Sequence, residues 1–204
     1  MKKAFIIILP VVVLFFLGCP PTWKNASKIY IGQREYDKAK EQALIGMKIA
    51  SEDYEAYCLL GKAELGLGNY PEASKAFQTA FKKDSLATIK WLKTDENGRN
   101  LSAYWQVFYN AGYKAFLDKK FDEALLNIKF AQRLDLENVS QYIIEGNVYI
   151  DMNEKEKAMA VFRRVLEIDK ENAEANYFIA KVHFDRQQYD SCHVYLKNSI
   201  KIFE

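Results

Sequence analysis

Few residues in this chain have side chains suited to nucleophilic or metal chemistry: three cysteines and two histidines among 204 residues. His193 directly follows Cys192, and neighbouring residues on a helix point about 100° apart, which is poor geometry for two ligands of one metal ion. His183 is expected to pack in a helical core. The stretch Gly-Leu-Gly at 66–68 lacks the preceding strand and the third glycine of a phosphate-binding loop. We therefore predict no catalytic site, no metal site and no cofactor, and the chain is not expected to be an enzyme.

Cys19 stands at the end of an apolar run, where a cysteine can carry a covalent modification. Lys2 and Lys3 precede a largely apolar run of 14 residues, 4–17. This run is shorter than the roughly 18 to 20 residues that span a bilayer, and residues 1–18 are typical of a signal peptide. The ending Phe-Leu-Gly-Cys resembles the bacterial lipobox, which implies lipid attachment at Cys19. Ordinary cleavage and an uncleaved anchor helix are the alternatives.

The lipobox resemblance also implies a location, which is the bacterial cell envelope with the chain facing the periplasm. Pro20 follows the cysteine in place of the aspartate that signals inner-membrane retention, and this favours the outer membrane. Removing Lys2 and Lys3 from the 29 basic residues leaves a chain balanced against its 27 acidic residues. A neutral chain has no electrostatic reason to bind nucleic acid, so we expect membrane contact through the lipid and no nucleic-acid partner.

A small residue recurs at a fixed interval along the rest of the chain. Ala39, Ala73, Ala124, Ala158 and Cys192 follow one another at spacings of 34, 51, 34 and 34 residues. Twelve positions before each of them stands a second small residue: Ser27, Gly61, Gly112, Gly146 and Ala180. Apolar residues between them have helical spacing. The pattern predicts repeated helix pairs whose backbones approach closely at the small residues.

These cassettes resemble the tetratricopeptide repeat (TPR) family. The resemblance implies an all-α fold over 19–204, a right-handed α-solenoid of about five helix-turn-helix units after a cleaved signal peptide. The units are framed at 20–53, 54–87, 105–138, 139–172 and 173–204, and an insertion fills 88–104. The insertion is expected to form a short extra helix or to extend the second unit, with a loop and a long helix from about Leu101. It is either a tolerated surface insertion or an element that bends the array or contacts a partner.

In the TPR family the first helix of each unit lines a groove, so the resemblance implies where a protein or peptide partner binds. The predicted groove residues in the later units are Tyr109, Asn110, Tyr113, Asn147, Tyr177 and Lys181. In the first two units they are Lys24, Lys28, Cys58 and Lys62, with Cys58 partly exposed. Phe116, Ile150 and Phe184 lie on the same stripe and are expected to pack between repeats, because apolar helix stripes are usually buried. Lys28, Leu59 and Asn110 depart from the residues with which some TPR domains clamp a C-terminal carboxylate, so that specificity is not expected.

Three functions agree with this reading. The first is a membrane-anchored TPR scaffold or adaptor that binds a protein or peptide partner in cell-envelope assembly. The second is a recognition subunit for enzymes that process envelope glycan or peptidoglycan. The third is a self-associating TPR lipoprotein, because Ile200 and Phe203 leave an apolar C-terminal helix where repeat arrays usually carry a polar cap.

Overall fold

The computed structural model describes residues 22–94 and 101–200, which form eleven α-helices and no β-strand. Cys19, the signal segment and Phe203 lie outside the described residues. In chain order the helices are α1 (Thr22–Gly32), α2 (Tyr36–Ile49), α3 (Tyr54–Gly66), α4 (Tyr70–Lys83), α5 (Ser85–Lys93), α6 (Leu101–Leu117), α7 (Phe121–Leu134), α8 (Val139–Asp151), α9 (Lys155–Ile168), α10 (Ala173–Asp185) and α11 (Tyr189–Ile200).

Ten of the described helices form five consecutive pairs, and the pairs stack into the predicted right-handed α-solenoid. The pairs are α1–α2, α3–α4, α6–α7, α8–α9 and α10–α11. The second helix of each of the first four pairs also packs against the first helix of the following pair. An apolar core therefore runs between successive pairs, as expected for an array in which each unit buries its face against a neighbour.

The same backbone turn joins the two helices of every pair. Each turn holds one residue in the left-handed region, with φ between 58° and 78°: Arg34, Gly68, Lys119, Asn153 and Gln187. The next amide bonds to the carbonyl five residues back, as in Glu154 N to Tyr149 O at 2.8 Å. This is the Schellman ending of a helix, which satisfies otherwise orphaned carbonyls. The turns follow one another at the spacing of the small residues, so the period of the sequence is also a period of the backbone.

The recurring small residues lie where the two helices of a pair meet. A Cβ added to Gly146 would lie 2.6 Å from the ring of Phe162, and one added to Gly61 would lie 2.8 Å from the ring of Phe77. Ser27 is the first of the series, and its buried hydroxyl donates to the carbonyl of Ala39 at 3.0 Å. The prediction of close approach at these positions is confirmed.

Helix α5 is the structural form of the insertion. Asp84 ends α4, and its carboxylate caps α5 by accepting from the amide of Ala87 at 2.9 Å. The helix therefore begins at Ser85, three residues before the framed insertion. Leu92 of α5 is fully buried in the aromatic cluster that joins α4 and α6, where Phe77 and Tyr104 pack edge to face at 5.4 Å. The extra helix is thus built into the core between the second and third pairs.

Among the helices in 22–94 and 101–200, none has the length and apolar character needed to cross a bilayer.

Candidate partner-binding groove

The first helix of every pair carries two residues one turn apart at equivalent repeat positions, and we call the side that bears them the groove face. These residues are Lys24 and Lys28 on α1, Cys58 and Lys62 on α3, Tyr109 and Tyr113 on α6, Ile143 and Asn147 on α8, and Tyr177 and Lys181 on α10. The groove face contains five of the six predicted groove residues, and Asn110, half-buried, neighbours it on α6.

An aromatic ladder runs along α6 on this face. The rings of Trp105 and Tyr109 stack with centroids 4.7 Å apart and an interplanar angle of 17°, and those of Tyr109 and Tyr113 stack at 6.4 Å and 3°. The three residues are spaced by four, so helical geometry places them one above another. Sequence reasoning missed Trp105, although its spacing from Tyr109 was a sufficient signal.

Trp105 is held in place by the neighbouring repeat. Its indole Nε1 donates to Oε1 of Gln141 on α8 at 2.8 Å, and the amide of Gln141 in turn donates to the carbonyl of Asp135. Gln141 is fully buried, so it has little freedom to move. The base of the ladder therefore has a fixed orientation, and its polar atom is already satisfied.

The helices α6, α8 and α10 are linked across the groove face through Glu174. The amide Nδ2 of Asn147 donates to Oε1 of Glu174 at 2.8 Å. Burial raises the pKa of the Tyr109 hydroxyl, and the fields of Tyr113 and Glu174 act in the same direction. Glu174 therefore lies close enough to α6 to be felt there, and the predicted residues of the last three pairs belong to one surface.

The groove face of these three pairs is open. Tyr113 is 42% exposed and Tyr177 is 58% exposed, and Lys181 is also exposed. Phe184 is 60% exposed and Ile150 is exposed as well, so the expectation that they pack between repeats is wrong. Phe116 is partly buried against the core of the third and fourth pairs, as expected. Both exposed residues lie near the ends of first helices, beyond the reach of the core.

The groove face of α3 is covered by α5, contrary to prediction. Cys58 is fully buried beside the hydroxyl of Thr88, and burial raises the pKa of its thiol far above the usual range, against the opposing effect of that hydroxyl. Lys62 is also buried, and its Nζ lies 5.7 Å from the centroid of the Trp91 ring. Neither residue can line a groove open to a partner, because the insertion lies across them.

The lysines of α1 are engaged with the start of α3. Lys24 lies 2.7 Å from a carboxylate oxygen of Asp53 and 2.9 Å from one of Glu55, and Lys28 lies 2.7 Å from the other oxygen of Glu55. Burial alone would raise the pKa of Glu55, but the ammonium groups of Lys28 and Lys24 hold it below its usual value. These paired lysines do not present free charges for a terminal carboxylate, so the groove face of the first two pairs is closed by the chain itself.

The histidines and cysteines play structural parts in this arrangement. His183 is half-buried, stacked on Tyr195 with ring centroids 5.4 Å apart and bonded to the side chain of Gln188 at 2.7 Å. Cys58 and Cys192 are free thiols. Cys192 is half-buried, whereas Ala158, its counterpart one repeat earlier, is fully buried, because no further pair packs beyond α11 in the described part of the chain. Across the described residues no cluster of histidine, cysteine or carboxylate side chains has the form of a metal site.

Known repeat families account for this architecture. A family model described as tetratricopeptide repeat matches residues 25–85 and 58–128, and one described as TPR repeat matches residues 146–187. The chain belongs to the tetratricopeptide repeat family. The matches reach across α5, so the insertion interrupts the TPR array without ending it.

The TPR array is similar in fold to two solved structures. One is MamA protein, with a TM-score of 0.53 and 17% identity over 88% of this chain and 88% of that chain. The other is YrrB, described as a TPR protein with an unusual peptide-binding site, with a TM-score of 0.54 and 17% identity over 88% of this chain and 84% of that chain. No curated protein matches this chain significantly. The TPR fold supports a scaffold for protein–protein interaction.

Proposed function

We propose that this TPR protein is a membrane-anchored scaffold that binds a protein partner through the groove face of α6, α8 and α10, in the assembly of the bacterial cell envelope. The carrying observation is that this part of the groove face is open and aromatic, whereas the part on α1 and α3 is closed by ion pairs and by α5. Exposed tyrosines beside polar side chains offer large contact area with hydrogen-bonding tips, the combination found at binding hot spots.

A pull-down with the intact protein tests the groove. Alanine at Tyr109, Tyr113 and Tyr177 together is expected to remove the partners that the wild-type chain recovers from detergent-solubilised envelopes. The matched control carries alanine at Ile49, Leu86 and Leu126, which are exposed apolar residues away from the groove face. Equal recovery of the same partners by both triple variants would contradict the proposed site.

The anchor is supported by the sequence Phe-Leu-Gly-Cys at 16–19 and by the short distance from Cys19 to Thr22, where α1 begins. Three residues of extended chain span roughly 10 Å, so a lipid on Cys19 would hold the first pair close to the bilayer. We expect the wild-type protein in the membrane fraction and Cys19→Ser in the soluble fraction. An unchanged membrane fraction in that variant, or the absence of an acyl mass at Cys19, would refute lipid anchoring.

A second candidate, self-association, is favoured by the surface of α11. On α9, Phe162 is buried and Leu166 is half-buried, both in the core shared with α10. Leu196 and Ile200 stand 34 residues later on α11 and are exposed. A second copy that covers this face would complete the stack. Light scattering is expected to show a dimer that Leu196→Glu converts to monomer, and a monomeric wild-type protein at high concentration would exclude it.

A further inference from the structure

One part of the groove face is occupied and the adjoining part is open. From the occupied part we infer that the partner segment bound by α6, α8 and α10 is an amphipathic α-helix and not an extended strand. This inference rests on the proposed function and adds the conformation and chemistry of the partner.

The occupant of the closed part is itself a short amphipathic helix. The buried residues of α5, Thr88 and Leu92, and the half-buried Trp91 are spaced as i, i+3 and i+4 and point to the array, whereas Leu86 on the opposite side is 83% exposed. Such a stripe is the signature of a helix seated in a groove. The groove face of α3 therefore accepts a helix through apolar side chains one turn apart.

The open part repeats the geometry of the occupied part. Tyr109 and Tyr113 stand 51 residues after Cys58 and Lys62, and the residues of α8 and α10 follow at intervals of 34. The two parts adjoin, because Trp91 of α5 contacts Tyr104 of α6 with ring centroids 6.4 Å apart. The surface seen by α5 therefore continues onto α6, where nothing in the described chain covers it.

The hydrogen-bonding capacity of the open part decides between a helix and a strand. An extended peptide brings backbone N–H and C=O groups that need partners when they are buried. The indole of Trp105 already donates to Gln141, and the amide of Asn147 already donates to Glu174. A helix satisfies its own backbone internally and needs only apolar contact. Tyr113, Tyr177 and Phe184 supply that contact.

Site-specific photo-crosslinking tests the inference on the full-length protein. The photoreactive residue p-benzoylphenylalanine replaces Tyr109, Tyr113, Tyr177 or Phe184 in turn, in the cells that make the protein, and mass spectrometry locates the crosslinked residues of the partner. The matched control places the probe at Arg163, which is exposed on α9 and away from the groove face. We expect the four groove probes to mark one partner segment at residues spaced by three and four.

The outcomes separate this inference from the proposed function. Crosslinks to alternate residues, with a spacing of two, would overturn the helix and leave the proposed function standing. Crosslinks no more frequent than at Arg163 would overturn both. A second measurement confirms the conformation: proline in the middle of the marked segment is expected to weaken binding at least tenfold, whereas alanine at a position that no probe marks leaves binding unchanged. Equal effects of proline and alanine would contradict a helical partner.

Discussion

The ammonium group of Lys62 on α3 lies 5.7 Å from the centre of the Trp91 ring on α5, so a charged side chain at a groove position is covered by the protein's own insertion. The same helix buries Cys58, one turn earlier on α3. The thiol of Cys58 therefore reports whether α5 is seated.

Replacing Trp91 with alanine is expected to loosen α5 and expose Cys58. Only the thiolate of a cysteine reacts readily, and in the wild-type protein burial raises the pKa of the Cys58 thiol far above its usual range. With serine at Cys19 and Cys192, we expect Trp91→Ala to accelerate labelling of Cys58 by roughly tenfold or more at pH 8, because local opening becomes easier. Leu86→Ala, on the exposed side of α5, is the control and is expected to react as slowly as the parent. Equal labelling rates in all three proteins would show that α5 does not protect the thiol.

Replacing Gly146 with alanine is expected to lower the free energy of unfolding by about 1 to 3 kcal/mol, the usual cost of overpacking. The added methyl group would lie 2.6 Å from the ring of Phe162, which is fully buried and has no room to withdraw. Gly32 is the control, because nothing lies within 4 Å of a Cβ there, and alanine in a helix is favoured by up to about 1 kcal/mol. Urea denaturation measures both. A neutral Gly146→Ala would mean that the two helices of the fourth pair can separate without loss.

Replacing Lys119 with glycine is expected to raise the free energy of unfolding by roughly 0.5 to 1 kcal/mol. Lys119 has φ of 58°, a conformation that costs a residue with a Cβ about 1 kcal/mol or more and glycine almost nothing. Lys114, also on α6 and exposed, is the matched control, since glycine in a helix interior is destabilising by about 1 kcal/mol. Thermal and urea unfolding should therefore move in opposite directions for the two variants. A loss of stability in Lys119→Gly would indicate that the lysine stem packs usefully in the turn.

Replacing Glu55 with glutamine is expected to destabilise the protein at pH 7 by roughly 1 kcal/mol, in the range of charge-assisted contacts near a surface. The ammonium groups of Lys28 and Lys24 overcome the effect of burial and lower the pKa of the folded carboxyl. The stability from these pairs is therefore present above the unfolded pKa of about 4.3 and is lost as pH falls through the lower folded pKa. The difference from wild type in urea titrations should narrow from pH 6 downward. A difference that does not change with pH would mean that the loss has another origin.

Replacing Glu145 with glutamine is expected to have the opposite effect. Burial raises the pKa of this carboxyl, and the hydrogen bond from Gln132, at 2.6 Å, offsets only part of that effect. A raised folded pKa means that the charged form is disfavoured in the fold, so stability falls as pH rises through that pKa. Glutamine removes the charge, and we expect a gain in unfolding free energy at pH 7 that shrinks toward pH 4. Lower stability of Glu145→Gln at pH 7 would contradict the assigned cost of burying the charge.

The helix pairs could be predicted because their packing rule is written in local residues. Gly61 and Gly146 mark close contacts that allow no side chain, and such a requirement leaves the same residue type at the same interval whatever the partner is. Trp105 could have been predicted from its spacing to Tyr109 and Tyr113 as well. It was missed because the third unit was framed to begin at 105, whereas α6 begins four residues earlier, at Leu101.

The covering of Cys58 and Lys62 could not be read from the sequence. The residues 85–93 predict a helix by their spacing, but the surface on which an inserted helix comes to rest depends on contacts distant along the chain. Phe184 failed for a related reason. Its stripe has the pattern of a core, and only the arrangement of the neighbouring helices shows that no element lies over it.

The seating of α5 also sets where along the array a partner can be held. Two closed pairs come first, and the open tyrosines begin only at α6. In the lipid-anchored form proposed above, α1 to α5 act as a pedestal that keeps the docking surface away from the bilayer. The break in the repeat period therefore works as a spacer, and its position determines how far from the membrane a bound partner stands.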